Sequence, residues 1–138
     1  MIPIPENVIR TINSLNGLQR LYMIEFFRSK IPDGLTVLKQ VNHFTVAHYV
    51  ADIVDLLAQL GPGCSELCFC WVNLTAEKMV HLLQINPHLE RNVTHLVYGF
   101  VATSHNNRLK HSYNLFQLIC DRFTNLQSID ITFTDRVE

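Results

Sequence analysis

The chain has 138 residues, of which 48% are hydrophobic and 17% are charged, and its 11 basic and 12 acidic side chains give a formal net charge of −1. This composition is typical of a folded globular domain and argues against a disordered chain. A domain of this length buries about two-thirds of the surface of its unfolded chain, so it can hold a substantial core. The near-neutral charge provides no field that attracts nucleic acid or an anionic membrane, and we expect neither as a partner.

The N-terminus and the cysteines bear on the cellular compartment. Residues 1–7 have no basic segment and contain two prolines, which is unlike a secretory signal. The sequence also has no run of about 18 apolar residues that could span a membrane. We therefore expect the four cysteines to be reduced thiols and the protein to be cytoplasmic or nuclear.

The first predicted element is a helix over residues 7–15, which belongs to an N-terminal cap at residues 1–17. A recurring phrase then begins: an apolar residue, two others, Leu or Ile, one other and an apolar residue. Its firm copies start at Leu18, Cys64, Val93 and Leu126. A weaker copy starts at Leu38, and a register that starts at Leu35 is nearly as good. Because side chains alternate along a strand, each phrase predicts a short strand with its apolar residues on one side.

The stretches between these phrases have helical patterns. Residues 45–60 carry apolar side chains at the i, i+3, i+4 spacing of an amphipathic helix, and the Gly-Pro-Gly at residues 61–63 stops it. Thr75 is the predicted N-cap of the next helix, which Pro87 ends at or before the preceding residue. Residues 112–123 have the same apolar stripe, so they predict a third helix of this kind.

The phrases are separated by 20, 26, 29 and 33 residues, close to the 20–29 residues of leucine-rich repeats. The last interval contains a polar insertion at residues 101–110, which we predict to be a loop. Strand–helix units of this kind bury their apolar sides by stacking on one another. We therefore predict a single α/β domain over residues 1–138: a leucine-rich-repeat solenoid of about five degenerate units at residues 18–138, with a short parallel sheet on its concave side.

One segment carries a family resemblance. Leu-Thr-Ala-Glu-Lys-Met-Val-His-Leu-Leu-Gln-Ile-Asn-Pro-His-Leu-Glu, at residues 74–90, resembles the cysteine-containing leucine-rich repeats of F-box adaptor proteins. Segments 61–67 and 123–129 fall in the same register, and the resemblance covers about residues 16–135. Such adaptors present protein substrates to a ubiquitin ligase. The resemblance therefore implies a non-catalytic substrate-recognition module with a protein partner.

The array is expected to be incomplete. Nothing before Leu18 resembles the three-helix F-box, and only a few residues follow the last predicted strand. Solenoids need polar caps to stay soluble. We therefore expect a truncated array, a fragment of a larger chain, or an array that a partner completes.

The side chains that alternate with the Leu-type positions are expected to face a protein partner. They mix aromatic, apolar and polar groups, which suits a protein epitope better than a polyanion. Tyr22 and Phe44 are the predicted anchors, because aromatic residues dominate binding hot spots. The predicted partner-binding set is Arg20, Tyr22, Ile24, Asn42, Phe44, Glu66, Cys68, Cys70, His95, Val97, Ser128, Asp130 and Thr132.

We expect no metal, cofactor or catalytic residue. Cys68 and Cys70 share a strand face roughly 7 Å apart, but no second cysteine cluster accompanies them as a zinc site requires. No nucleophile motif of a known hydrolase class occurs. The alternative is a compact α/β enzyme or small-ligand protein with His95, Asp130 and the two cysteines at strand ends. Strand order separates the two hypotheses, because a doubly wound sheet interleaves its strands.

Overall fold

The computed structural model describes residues 5–24, 34–47, 53–70, 72, 74–102 and 106–135, with only the backbone described at 24, 100–102, 106–113 and 132–135. In chain order the elements are α1 (Glu6–Asn13), β1 (Arg20–Ile24), a turn of 3-10 helix (Thr36–Lys39), β2 (His43–Ala47), α2 (Ile53–Leu57), β3 (Glu66–Cys70), α3 (Ala76–Ile85), α4 (His88–Asn92), β4 (His95–Ala102), α5 (Asn106–Arg122) and β5 (Ser128–Asp135). None of the helices in these ranges is long and apolar enough to cross a membrane.

The five strands form one sheet in the order β1-β2-β3-β4-β5, and every neighbouring pair is parallel. This confirms the predicted α/β class and the predicted parallel sheet. A doubly wound sheet binds its ligand in the crevice where the strand order reverses. The sequential order has no such reversal, so each unit of the chain simply lies beside the unit before it.

The same backbone hydrogen bonds recur where each new strand begins. At the first junction, the amides of Asn42 and His43 both donate to the carbonyl oxygen of Gln19, over 2.7 and 3.1 Å. At the next three junctions, the two amides at the start of the strand share in turn the carbonyl oxygens of Asn42, Ser65 and Thr94. Four successive junctions therefore repeat one local geometry, although the sequences at these positions differ.

Alternating side chains of the strands point into the core. They form two rows across the sheet: Leu21, Phe44, Leu67, Leu96 and Ile129, then Met23, Val46, Phe69, Tyr98 and Ile131. In both rows the side chains of β2, β3 and β4 are almost completely buried, and those of β5 are partly buried. The Phe69 and Tyr98 rings stack with centroids 5.7 Å apart. Each large apolar side chain buried here contributes about 1.5–3 kcal/mol.

The helices cover this inward side of the sheet. Leu56 of α2, Met79 and Leu82 of α3, and Ile119 of α5 belong to the same buried cluster as the strand side chains. Neither element could bury its apolar side alone, which is why strand and helix alternate along the chain.

The second strand corrects the sequence prediction. Leu21 is in register with Phe44, so the second phrase starts at Val41, and neither predicted start, Leu38 or Leu35, is right. Leu35 and Leu38 are buried on or beside the 3-10 turn, where their apolar pattern resembled that of a strand. With starts at 18, 41, 64, 93 and 126, the intervals become 23, 23, 29 and 33 residues. The repeat is more regular than the sequence alone indicated.

The predicted helices are confirmed in position but not always in extent. Thr75 caps α3 as predicted, and its hydroxyl oxygen accepts a hydrogen bond from the Lys78 amide over 3.2 Å. The same helix ends at Ile85, ahead of Pro87, as predicted. The helix predicted for residues 45–60 is wrong at its start, because residues 45–47 belong to β2. Thr45 and Val46 are β-branched, which favours the strand.

The insertion predicted to be a loop at residues 101–110 is largely regular structure. It is divided between the end of β4, which runs to Ala102, and the first residues of α5, which begins at Asn106. β4 and β5 pair over eight residues, whereas the other pairs extend over five. The extra residues therefore lengthen the fourth unit of the sheet.

Side-chain amides join successive units at their turns. The Asn86 side chain is buried and donates to the carbonyl oxygens of Leu57 and Leu60, over 3.3 and 2.9 Å. These carbonyls belong to the last turn of α2 and the residues after it, where helical partners run out. Asn92 donates to the Pro62 carbonyl over 2.7 Å in the same manner.

Gly61, within the predicted Gly-Pro-Gly stop, is required by close packing. A Cβ atom at this position would lie 2.1 Å from the carbonyl oxygen of Lys39. The Gly61 amide also donates to the Leu38 carbonyl over 3.2 Å. The turn after α2 therefore lies directly on the backbone of the preceding unit. The incompleteness of the array stays a prediction, and residues 136–138, which follow β5, lie outside the described residues.

Candidate functional site: the outward face of the sheet

The side of the sheet opposite the helices carries three rows of side chains, which we call the outward face. The first row is Arg20, His43, Glu66, His95 and Ser128; the second is Tyr22, Thr45, Cys68, Val97 and Asp130; the third is Ile24, Ala47, Cys70, Gly99 and Thr132. Eleven of the thirteen predicted partner-binding residues occupy these rows. Ile24 and Thr132 are placed by their backbone alone, since their side chains lie outside the described residues.

Two residues of the predicted set do not lie on the outward face. Phe44 is completely buried in the core at 0% exposure, so its predicted role as an anchor is wrong. Asn42 is exposed but precedes β2. Sequence reasoning missed His43, Thr45 and Ala47, which take their places. A start at Val41 would have found all three, because it preserves the apolar alternation of the other phrases.

His43 is the centre of a hydrogen-bonded group on the first two rows. Its Nδ1 atom lies 2.7 Å from Oε2 of Glu66, directly opposite on β3, and its Nε2 atom lies 2.8 Å from the hydroxyl oxygen of Thr45. In the neutral ring, Nδ1–H donates to the carboxylate and Nε2 accepts from the hydroxyl. Both ring nitrogens are thus engaged, which fixes the plane of the imidazole.

Tyr22 packs beside this imidazole. The ring centroids of Tyr22 and His43 are 5.0 Å apart and their planes are inclined by 38°. Tyr22 nevertheless remains 53% exposed. One side of the Tyr22 ring packs against His43 and the other side is exposed to solvent. Because the ring is already ordered, it would lose little rotamer freedom on contact with a partner.

The hydrogen bond from His43 lowers the pKa of the Glu66 carboxyl below its usual value. Partial burial acts in the opposite direction, and the electrostatic influence of His43, Arg20 and His95 adds to the lowering. The carboxylate is therefore the favoured form at neutral pH. The first row presents a fixed negative charge between basic or hydrogen-bonding groups.

Cys68 and Cys70 lie together on β3. Both side chains are half-buried, and their Sγ atoms are 4.0 Å apart. Burial and, to a smaller extent, the neighbouring Cys70 together raise the pKa of the Cys68 thiol to about 11. Cys64, the first residue of its phrase, is fully buried, and burial raises the pKa of its thiol to about 11.

The end of the face on β4 and β5 is more polar. His95 is exposed, and its Nδ1 atom lies 2.8 Å from the hydroxyl oxygen of Thr94. Ser128 and Asp130 are exposed as well, whereas Val97 is half-buried. Across the five strands the face therefore passes from an aromatic and hydrogen-bonded end to an acidic and hydroxyl-bearing end.

The chemistry of this arrangement is that of a contact surface. It offers an exposed aromatic ring, a half-buried apolar strip and oriented polar groups of both charges, which is the mixture found in protein interfaces. Within the described ranges, no three His, Cys, Asp or Glu side chains converge as metal ligands. Comparisons with protein-family models, curated proteins and solved structures find no match for the chain.

Proposed function

We propose that the chain is a non-catalytic protein-interaction module built as a leucine-rich-repeat array, and that the outward face binds its protein partner. The repeat assignment is supported by the sequential parallel strands and by the hydrogen bonds that recur at four successive junctions. It is also supported by intervals of 23, 23 and 29 residues between the first four phrases. The 33-residue interval contains the longer β4 and α5.

The observation that carries the proposal is the contrast between the two sides of the sheet. Phe69 is 1% exposed, whereas Cys68 and Cys70 on either side of it are only half-buried. On β2 and β4 the same alternation holds over the first four residues, and the third-row residues Ala47 and Gly99 are buried as well. On these three strands the buried inward side chains therefore hold the described outward side chains in place. A platform ordered before binding loses little conformational entropy when a partner is bound.

The composition of the outward face indicates the class of partner. Tyr22 supplies an aromatic anchor, and Val97 and the two cysteines supply apolar contact area. Arg20 is balanced by acidic groups elsewhere on the face, so electrostatic attraction to a polyanion is weak. We propose a folded protein or peptide that places an apolar side chain beside Tyr22.

Affinity capture with two double variants tests this proposal. Tyr22→Ala/Cys68→Arg alters the outward face. The matched control, Ile85→Ala/Gln84→Arg, makes the same types of change on α3, where Ile85 is 51% exposed. We expect the face variant to lose partners that the wild type and the control both retain. Unfolding curves for all three proteins establish that each is folded, and identical partner lists for the three would contradict the proposal.

The ubiquitin-ligase role implied by the F-box resemblance forms a separate part of the proposal. A partner that depends on the outward face for binding should also carry less ubiquitin in cells that lack the chain. Re-expression of the Ile85→Ala/Gln84→Arg control should restore the modification, and the face variant should not. A face-dependent partner whose ubiquitin level is the same in all these cells would remove the ligase role and leave the binding role intact.

A further inference from the structure

Cys68 and Cys70 form a close thiol pair, which their proposed role as apolar contact area does not require. They flank Phe69, whose ring is buried in the core against Tyr98. β3 is paired on one side with β2 and on the other with β4, so the backbone that carries both thiols is held in place. The sheet fixes the two Cα positions roughly 7 Å apart, and the side chains turn towards each other to bring their Sγ atoms within 4.0 Å. The two Sγ atoms, which are soft metal ligands, therefore lie close together on one face of a strand that is paired on both sides.

This spacing suits a bridging metal ion better than a direct bond between the sulfurs. A disulfide requires sulfur atoms about 2.05 Å apart, about half the present distance. Metal–thiolate bonds of about 2.3 Å from one ion to both sulfurs would give an S–metal–S angle of about 120° across the existing gap. An ion can thus bind with little movement of either side chain.

We propose that Cys68 and Cys70 form a two-thiolate site for a soft monovalent cation of the copper(I) class. Thiolate ligands select soft ions such as copper(I). Zinc takes four ligands in its structural sites, and the described residues contain no converging group of three or more metal-binding side chains. A cation that accepts two or three ligands matches the pair. This inference is independent of the proposed protein partner.

The neighbouring strands leave lateral room beside the pair. In the third row Cys70 lies between Ala47, which has only a methyl side chain, and Gly99, which has no side chain. Cys68 lies between Thr45 and Val97 in the second row. Among the described residues, the third row therefore offers the least hindered approach to the ion for a third ligand from solution, such as a small thiol.

Binding exchanges protons for metal without electron transfer. Two S–H bonds break, two metal–sulfur bonds form, and two protons pass to solvent, so the site changes from neutral to a net charge of −1. Metal affinity must then rise with pH, since the ligands bind as thiolates.

The test is a competition titration of the reduced full chain under oxygen-free conditions. Copper(I) is supplied as its coloured complex with bicinchoninate, and the loss of colour measures transfer to the protein. We expect the wild type to remove one copper per chain and the affinity to rise between pH 6 and pH 8. Cys68→Ser and Cys70→Ser should each weaken binding by more than about 100-fold, because even second-sphere partners of a metal ligand contribute 10–100-fold.

Cys120→Ser is the matched control, since Cys120 is exposed on α5 and away from the pair. It should bind copper as the wild type does. Native mass spectrometry of the wild type provides a measurement that needs no variant: one copper gained and two protons lost per chain. Undiminished binding by both Cys68→Ser and Cys70→Ser would overturn the site, as would loss of binding in Cys120→Ser or copper found only in cross-linked dimers.

Discussion

The hydrogen bond between His43 and Glu66 makes the stability of the fold depend on pH. The bond lowers the pKa of the Glu66 carboxyl, so the folded state binds this proton less tightly than the unfolded chain does. Its contribution is therefore complete above the ordinary pKa of a glutamate and is lost as the pH falls through the lowered value. We expect the midpoint for urea unfolding to fall more steeply in the wild type than in Glu66→Gln as the pH is lowered below the ordinary pKa of a glutamate.

The His43→Ala background is the control for this effect. Without the imidazole the largest cause of the shift is gone, so adding Glu66→Gln should change the acid slope much less than it does in the wild-type background. Four unfolding series, for the wild type, each single variant and the double variant, measure the coupling directly. Parallel acid slopes for the wild type and Glu66→Gln would show that the pair contributes nothing to acid stability.

The His43–Glu66 pair also marks the limit of prediction at the residue scale. Glu66 could be placed on the outward face because its phrase alternates cleanly from Cys64 onward. His43 could not be placed there. Leu35 and Leu38, which lie beside and within the 3-10 turn, have an apolar pattern that predicted the wrong start for the second phrase in place of Val41. The register of a strand determines which side chains are opposite one another, so a contact across two strands requires both registers.

At the scale of elements, α3 is the helix whose local signals were clearest. Its Thr75 hydroxyl accepts from the Lys78 amide and satisfies one of the free donors of the first turn. We expect Thr75→Ala to lower the free energy of unfolding by about 0.5–2 kcal/mol, as for other lost N-caps. Chemical denaturation followed by circular dichroism measures this loss.

Thr75→Ser is the conservative control, because serine keeps the accepting oxygen and caps at least as well. It should unfold close to the wild type. If Thr75→Ala and Thr75→Ser were equally destabilised, the methyl group and its packing would be responsible, and the cap would contribute little.

The elements that could be predicted have signals within their own residues. α3 has a cap, an apolar stripe and a proline at its end, and four of the five strands have an alternating phrase whose start is unambiguous. The boundaries that were wrong depend on neighbours. Residues 45–47 fit either a helix or a strand by pattern, and pairing with β1 and β3 makes them a strand. The polar residues at 101–110 give no local signal for the longer β4 and α5 that the structure contains.

At the scale of the whole molecule, each unit contacts mainly the units beside it. In the proposed repeat array, stability is approximately a sum of terms within units and between nearest neighbours. β3 has a paired strand on both sides, whereas β1 and β5 are the end strands of the described sheet, and the inward side chains of β5 are only partly buried. The ends of the sheet should therefore open more readily than its middle.

Native-state hydrogen exchange tests this expectation. We expect amides of β3 to exchange with a free energy close to that of global unfolding, and amides of β5 to exchange through smaller local openings. Phe69→Ala, a cavity in the central unit, should lower protection in β2, β3 and β4 and cost about 3–5 kcal/mol. Ile129→Ala should lower protection in β5 and β4 and leave β1 unchanged.

The pattern of opening free energies across the five strands distinguishes a stack of units that open separately from a domain that unfolds cooperatively as a whole. Equal opening energies in all five strands, and equal loss of protection in β1 from both variants, would mean that the chain unfolds as one cooperative block. A gradient from β3 towards β5, with each substitution felt mainly by adjacent strands, requires that coupling passes from unit to unit. Because the outward face spans all five strands, such a gradient would make the Tyr22 end and the Asp130 end of this face separately adjustable by a bound partner.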